Sequence, residues 1–171
     1  NMVGAQDELI FDGESLAFSS RGDCLGQGKA FEEDLVLIDL ESDHVVELKV
    51  KPREEKMFRA LCLGVSDYFK KTGHTEAVLG LSGGIDSALV AVIAADALGA
   101  ENIHGISLPS KYSSNHSLSD AQALADNLSI DYRIIPIQEA VEGLETVLHP
   151  HFLGMEPNVA EENIQARARG N

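Results

Sequence analysis

Ala77-Val78-Leu79-Gly80-Leu81-Ser82-Gly83-Gly84-Ile85-Asp86-Ser87 runs directly into Ala88-Leu89-Val90-Ala91-Val92-Ile93-Ala94. Residues 75–81, which end in the first five of these residues, read as a buried strand, the glycine pair as a tight turn, and the alanine-rich stretch as a helix. A helix start leaves its first N–H groups without intrahelical partners and carries the positive end of the helix dipole. With the Ser82 and Ser87 hydroxyls, the turn therefore gathers hydrogen-bond donors at one point, a cradle suited to phosphate. A carboxylate does not belong in such a turn for phosphate alone. Asp86 suits a Mg²⁺ ion that bridges phosphate oxygens.

Downstream of this turn, helix and strand patterns alternate. The first helix spans 86–98, with Gly99 placed to end it in the left-handed conformation. A second strand over 103–108 is closed by Pro109. Ser117, with Asp120 three residues on, reads as the cap of a helix through Ala121, Leu124, Ala125 and Leu128. A third strand covers 131–137, and Asn158 and Glu161 are candidate caps for a last helix running to Arg169. Upstream, residues 54–71 form a helix with Met57, Phe58, Leu61, Val65 and Phe69 on one side. Strands joined by helices in short succession imply an α/β fold, a doubly wound parallel sheet with helices on its faces. Ligands of such sheets bind at the carboxyl ends of the strands, so the 82–87 turn and Ser107-Leu108-Pro109-Ser110 are expected to meet at one crevice.

The pattern changes at Lys51-Pro52-Arg53-Glu54-Glu55-Lys56, a charged, proline-bearing linker. Before it lie β-like runs at 8–11, 15–18, 34–40 and 44–50, parted by turns such as Asp12-Gly13. These strands are too few to close a core alone. Two segments follow, 1–50 and 51–171.

Of the 171 residues 44% are apolar, and 28 acidic residues against 13 Lys+Arg give a formal net charge of −15. That balance argues against a general nucleic-acid or anionic-membrane binder, which needs a cationic face. A nucleotide requires only a local cradle. Glu32-Glu33-Asp34 reads as solvated surface. Cys24 and Cys62 have no metal-ligand spacing and read as small buried hydrophobes. No signal peptide and no apolar run of membrane-helix length is visible, and a reducing, cytoplasmic setting is expected.

Three chemistries compete for the glycine turn. A P-loop requires G-x-x-x-x-G-K-[ST], and no lysine is present; a dinucleotide fingerprint is absent, Gly26-Gln27-Gly28 being a lone match in an expected loop. Gly80-Leu81-Ser82-Gly83-Gly84 fits the G-x-S-x-G nucleophile elbow, with Asp120, Asp126 or Asp131 and His149 or His151 as triad candidates, but that reading leaves Asp86 and Ser87 without a role. The third accounts for all six residues. Ser-Gly-Gly-x-Asp-Ser resembles the pyrophosphate loop of the ATP pyrophosphatase superfamily (adenine nucleotide alpha hydrolase-like), which includes amide-forming synthetases and RNA-modifying enzymes. The resemblance implies that Gly80, Leu81, Ser82, Gly83, Gly84, Ile85, Asp86 and Ser87 bind ATP, and that Asp86 binds Mg²⁺.

More of the chain narrows the family. The stretch from Ser107-Leu108-Pro109-Ser110-Lys111 to Leu128 is similar to the segment after the second strand of NAD⁺ synthetases, and Glu162-Asn163-Ile164-Gln165-Ala166-Arg167-Ala168-Arg169 resembles their Asn-x-x-Ala-Arg-x-Arg helix. Residues 1–15 are similar to the end of the nitrilase-like α/β sandwich, the glutaminase domain of glutamine-dependent NAD⁺ synthetases. This resemblance implies a nitrilase-like portion over 1–50 and a synthetase portion over 51–171. It implies deamido-NAD⁺ binding by Asn163 and Arg167, with Arg169 of less certain role, and a large homo-oligomer for the full-length protein. The implied reaction is ATP- and glutamine-derived ammonia-dependent amidation of deamido-NAD⁺ through an adenylated intermediate. The glutaminase Cys, Glu and Lys of that family have no counterpart here, Cys24 included, and the chain is expected to be an internal piece without glutaminase turnover. Lys111 is a candidate helper at the phosphates or a solvated lysine, and His149-Pro150-His151 a loop rather than a metal site. An RNA-modifying pyrophosphatase and an assembly-only segment are the remaining alternatives.

Overall fold

A computed structural model describes residues 1–41, 44–111, 113–151, 153–154 and 159–170. It divides into two compact units, Asn1–Thr75 with Asp96–Leu98, and Glu76–Ala95 with Gly99–Asn171.

The first unit holds two antiparallel hairpins and a long helix. Strands β1 (Val3–Gln6) and β2 (Leu9–Asp12) pair in one, β3 (Leu16–Phe18) and β4 (Cys24–Gln27) in the other. Helix α1 (Arg53–Thr72) carries Glu54 and Glu55 in its first turn and Lys70 and Lys71 in its last, the charge order that suits the helix dipole. Gly73, at φ 75°, closes it in the left-handed conformation with its N–H on Phe69 O. One side of α1 packs on β1 and β2, and the missing side chain at Gly64 leaves room for Ile10. Asp67 fastens the two together: its Oδ2 accepts the Ala5 N–H at 2.6 Å and pairs with Lys71 Nζ at 2.8 Å, while Lys71 also donates to Ala5 O.

The second unit is the expected parallel α/β sheet. Strands β5 (Ala77–Gly80), β6 (Ile103–Ser107) and β7 (Asp131–Ile134) lie side by side in that order, all parallel. They are linked by helices α2 (Ile85–Leu98) and α3 (Asn115–Leu128) and followed by α4 (Gln138–Leu148) and α5 (Val159–Gly170). Central strand β6 buries alternate residues, Ile103, Gly105 and Ser107. Gly105 has no side chain because Leu81 fills its place: a Cβ there would stand 2.6 Å from Leu81 Cδ1. Ala121 and Ala125, both buried, bring α3 close to the sheet. Val141 of α4 is fully buried.

Several local expectations change. Residues 34–40 and 44–50 form no strands among the described residues, and Leu35 and Leu37 are 85% and 91% exposed. A strand needs a ladder, and here the pairing is piecemeal. Val46 N–H donates to Cys24 O at 2.8 Å, and the Gln27 side-chain amide both accepts the Lys49 N–H and donates to Lys49 O, at 2.9 and 3.0 Å. Gly26 and Gln27, expected in a loop, belong to β4, where Gly26 leaves space for Val36 and Ile38. Strand β1 and helix α4 were not anticipated. The third strand stops at Ile134 rather than 137, although Ile135 N–H still donates to Ser107 O at 2.9 Å and Ile137 N–H to Pro109 O at 3.0 Å. The cap of α3 is Ser114, whose Oγ accepts the Ser117 N–H at 3.1 Å, so Ser117 is the capped residue. His149-Pro150-His151 is a short 3-10 turn. Asn158 lies outside the described residues, as does Tyr112.

The Lys71 ammonium, aided by the Ala5 N–H, holds the Asp67 carboxyl below its ordinary range. A carboxyl whose pKa is lower when folded adds stability above its unfolded value, about 4, and loses it as pH falls through the lower folded value. Urea unfolding followed from pH 7 to 3 is expected to show that loss below about pH 4, and Asp67→Asn is expected to be less stable at pH 7 with a flatter acid limb.

Candidate functional site

Gly80 ends β5, and its partner across the ladder is Ile106. One residue further the chain is still tied to the sheet, Leu81 N–H donating to Ile106 O at 2.8 Å. A buried relay holds this point. Ser107 Oγ, in a residue only 3% exposed, donates to Leu81 O at 2.6 Å and accepts the Tyr132 hydroxyl at 2.7 Å. The end of β5 is thus bolted through β6 to β7. Neither Ser107 nor Tyr132 was singled out from sequence for this role; a serine at the buried, inward position of a central strand is the signal that points to it.

The turn then leaves the sheet. Its two serines form a closed set of bonds with the backbone. Ser87 Oγ donates to Gly84 O at 2.9 Å, so its single proton is committed there. The contact between Ser82 Oγ and Ser87 Oγ at 3.0 Å is therefore donated by Ser82. Ser82 Oγ in turn accepts the Gly84 N–H at 3.2 Å, and Ser87 Oγ accepts the Ser82 N–H at 3.3 Å. Gly84 is the N-cap of α2, in extended conformation, and provides no side chain to occupy the first-turn N–H groups. Asp86 stands in that first turn, where the dipole favours an anion. The side chains of Ile85 and Asp86 are exposed.

Gly83 is required twice over. Its φ is 79°, in the left-handed region, and a Cβ would meet the carbonyl oxygen of Ser117 and stand 2.6 Å from Ser117 Cα. The turn thus lies backbone against backbone on the first turn of α3. A cleft of about 500 Å³ opens beside it at the carboxyl ends of β5 and β6, with Gly80, Ser82, Leu108, Pro109 and Ser114 in its walls. This is the crevice expected where the two strand ends meet.

Arg169 reaches the cleft from α5. Its Nε donates to Leu108 O at 3.2 Å and its Nη2 to Ser110 Oγ at 3.3 Å. Gln165, one turn earlier on the same face, is buried and accepts the Ser110 hydroxyl on Oε1 at 2.6 Å. Asn163 and Arg167 fall on the opposite side of the helix and are exposed. The structure therefore brings Gly80, Leu81, Ser82 and Arg169 to the walls of the cleft, and leaves Gly83, Gly84, Ile85, Asp86 and Ser87, and the Asn163 and Arg167 pair, outside those walls. Lys111 is tied to α4, by N–H to Gln138 Oε1 and by Nζ to Glu145.

The hydrolase arrangement is not formed. Ser82 Oγ is engaged with Ser87 and Gly84 rather than with an imidazole, and Asp131 pairs with His104 and Arg133. Among the described residues no three His, Cys, Asp or Glu side chains form a metal cluster. Cys24 and Cys62 are both buried thiols.

The NAD synthase family model matches residues 57–171. The chain belongs to the NAD synthase family. Among curated relatives it is 48% identical over 177 residues to the glutamine-dependent NAD(+) synthetase of Synechocystis sp., covering 100% of this chain and 32% of the relative. It is 42% identical over 208 residues to that of Thermotoga maritima, covering 100% of this chain and 36% of the relative. The chain thus spans about a third of the length of the curated relatives it matches. The structure of the Acinetobacter baumannii glutamine-dependent NAD⁺ synthetase in complex with ADP superposes with a TM-score of 0.90 at 35% identity, over 99% of this chain and 33% of that one. The family match spans the whole of the second unit and part of α1, and the longer matches extend through the N-terminal hairpins.

Ser107→Ala removes the donor to Leu81 O and is expected to cost about 1–3 kcal/mol in urea unfolding. Tyr132→Phe removes only the outer bond of the relay and is expected to cost about 0.5–1.5 kcal/mol.

Proposed function

We propose that this chain binds Mg·ATP on the Ser82–Ser87 turn and that the whole protein amidates deamido-NAD⁺ to NAD⁺ with ATP and glutamine. The observation that carries this reading is the turn itself: two interlocked serines, a glycine that admits no side chain, and an uncapped helix start, with Ser82 in the wall of the cleft. Such a cradle for two linked phosphates matches a reaction whose leaving group is pyrophosphate. Kinship with proteins named glutamine-dependent NAD⁺ synthetases, one solved with ADP, supports the same ligand.

In this reading residues 80–87 hold ATP, and Asp86 is the protein's ligand to Mg²⁺. A lone carboxylate fits that ion, which keeps several waters and takes one or two carboxylates together with substrate phosphates. Mg²⁺ supplies charge neutralisation at the phosphates. The deamido-NAD⁺ carboxylate attacks the α-phosphorus of ATP, and the bond to pyrophosphate breaks to leave an acyl adenylate. Ammonia from glutamine adds to the acyl carbon, loses a proton to solvent, and expels AMP as the amide forms. Asn163 and Arg167, on the outward face of α5, hold deamido-NAD⁺. Residues 1–50 are the end of a nitrilase-like glutaminase portion and 51–171 the start of the synthetase portion. A cytoplasmic homo-oligomer that binds neither nucleic acid nor membrane completes the proposal; among the described residues no helix is long and apolar enough to cross a membrane.

Calorimetric titration tests it. Wild type is expected to bind Mg·ATP and deamido-NAD⁺. Asp86→Asn is expected to weaken Mg·ATP about tenfold or more, Gly83→Ala to remove it through about 1–3 kcal/mol of backbone strain and the clash with Ser117, and Arg167→Ala to weaken deamido-NAD⁺ alone. Failure of the wild type to bind Mg·ATP, or a fluorophosphonate label on Ser82, contradicts the reading.

A further inference from the structure

We infer that Arg169 is a nucleotide-binding residue whose guanidinium meets the phosphate chain of the ligand in the cleft beside the Ser82–Ser87 turn; this rests on the ATP reading above. Arg169 is the one charged side chain among the described residues that line that cleft. The chain around it is strongly acidic, at −15 overall, so an anionic ligand entering the cleft must be neutralised from within it. The turn itself contributes no cationic side chain.

The guanidinium is held for this purpose. Two of its five N–H groups go to Leu108 O and Ser110 Oγ, both in the segment after β6 that walls the cleft. These two bonds fix the plane of the group and leave its other donors for a ligand. A guanidinium fixed in orientation suits phosphate oxygens, which it meets in a planar fork.

Behind Arg169, Gln165 sets the direction of the bonds. Ser110 Oγ accepts from Arg169, so its own proton goes to Gln165 Oε1, at 2.6 Å. Gln165 is only 4% exposed, and its Nε2 is the one buried side-chain nitrogen or oxygen among the described residues without a hydrogen-bond partner. A buried donor left unpaired is unfavourable, and each case needs a reason. The reason here is the carbonyl at the other end of the same amide: by taking the Ser110 proton it leaves the Ser110 oxygen to accept from Arg169. Gln165 and Ser110 are positioning residues for the arginine, which in turn faces the ligand.

The test separates charge from scaffolding by titrating the chain with Mg·ATP and, separately, with adenosine, which shares the base and sugar but carries no phosphate. Wild type, Arg169→Gln, Arg169→Lys and Ser110→Ala are compared, with circular dichroism to confirm that each is folded. Arg169→Gln is expected to weaken Mg·ATP about ten- to a hundredfold, to leave adenosine unchanged, and to flatten the salt dependence of ATP binding. Arg169→Lys keeps the charge without the fork and is expected to fall between; Ser110→Ala is expected to weaken ATP only, and by less. Equal loss of ATP and adenosine in Arg169→Gln, or no loss of either, overturns the inference while leaving ATP binding by the wild type intact. A wild type that binds no ATP removes the ATP reading and this inference together.

Discussion

The contact between Gly83 and Ser117 is the constraint on which the candidate site depends. Two backbones meet where no side chain fits, at a residue whose φ only glycine adopts without strain. This brings the start of α2 against the first turn of α3 and puts both beside the carboxyl ends of β5 and β6. The Ser107 relay works with it from below, since it fixes the point at which the turn leaves the sheet. The fold thus places the turn through contacts of its own backbone, without any ligand. Preorganised donors of this kind stabilise developing charge without reorganising at the moment of reaction.

Charge is the second theme. A protein with more than twice as many acidic as basic residues is a poor general host for nucleotides, and on the proposed function it must accept two anionic substrates. On that proposal the sources of positive potential would be local: the dipole of α2, a metal ion held by Asp86, Arg169 in the cleft, and Arg167 on the far side of the same helix. Residues two apart on a helix point about 200° apart. Helix α5 can thus present one arginine to the nucleotide cleft and the other to a different ligand surface.

Much of this was legible in the sequence, for physical reasons that differ by region. Residues 77–134 alternate between short apolar runs and helices, with Gly99 after α2 and Pro109 after β6, and each strand begins within two residues of its expected place, though only β6 is buried as expected of a central strand. The turn lies where the sequence places it, between β5 and α2, because its glycines break the apolar runs on either side. Residues 1–50 were read less well. Residues 34–40 and 44–50 have β-like composition, yet composition does not supply a partner, and the Gln27 side chain stands in for a strand neighbour at Lys49. Strand β4 hid behind Gly26 and Gly28, which sequence alone makes look like a loop. The Arg169 contact was not legible either, because it joins residues about sixty positions apart, and periodicity shows which residues share a helix face but not what that face meets.

The central claim is that the Ser82–Ser87 turn is a pyrophosphate cradle. Its most direct test is a ¹⁵N-resolved NMR titration of the chain with Mg·ATP. The account predicts saturable shifts of the Gly83, Gly84, Ile85, Asp86 and Ser87 amides, reproduced by magnesium pyrophosphate and absent with adenosine. Turn amides that stay in place while others in the chain move on addition of Mg·ATP would contradict it.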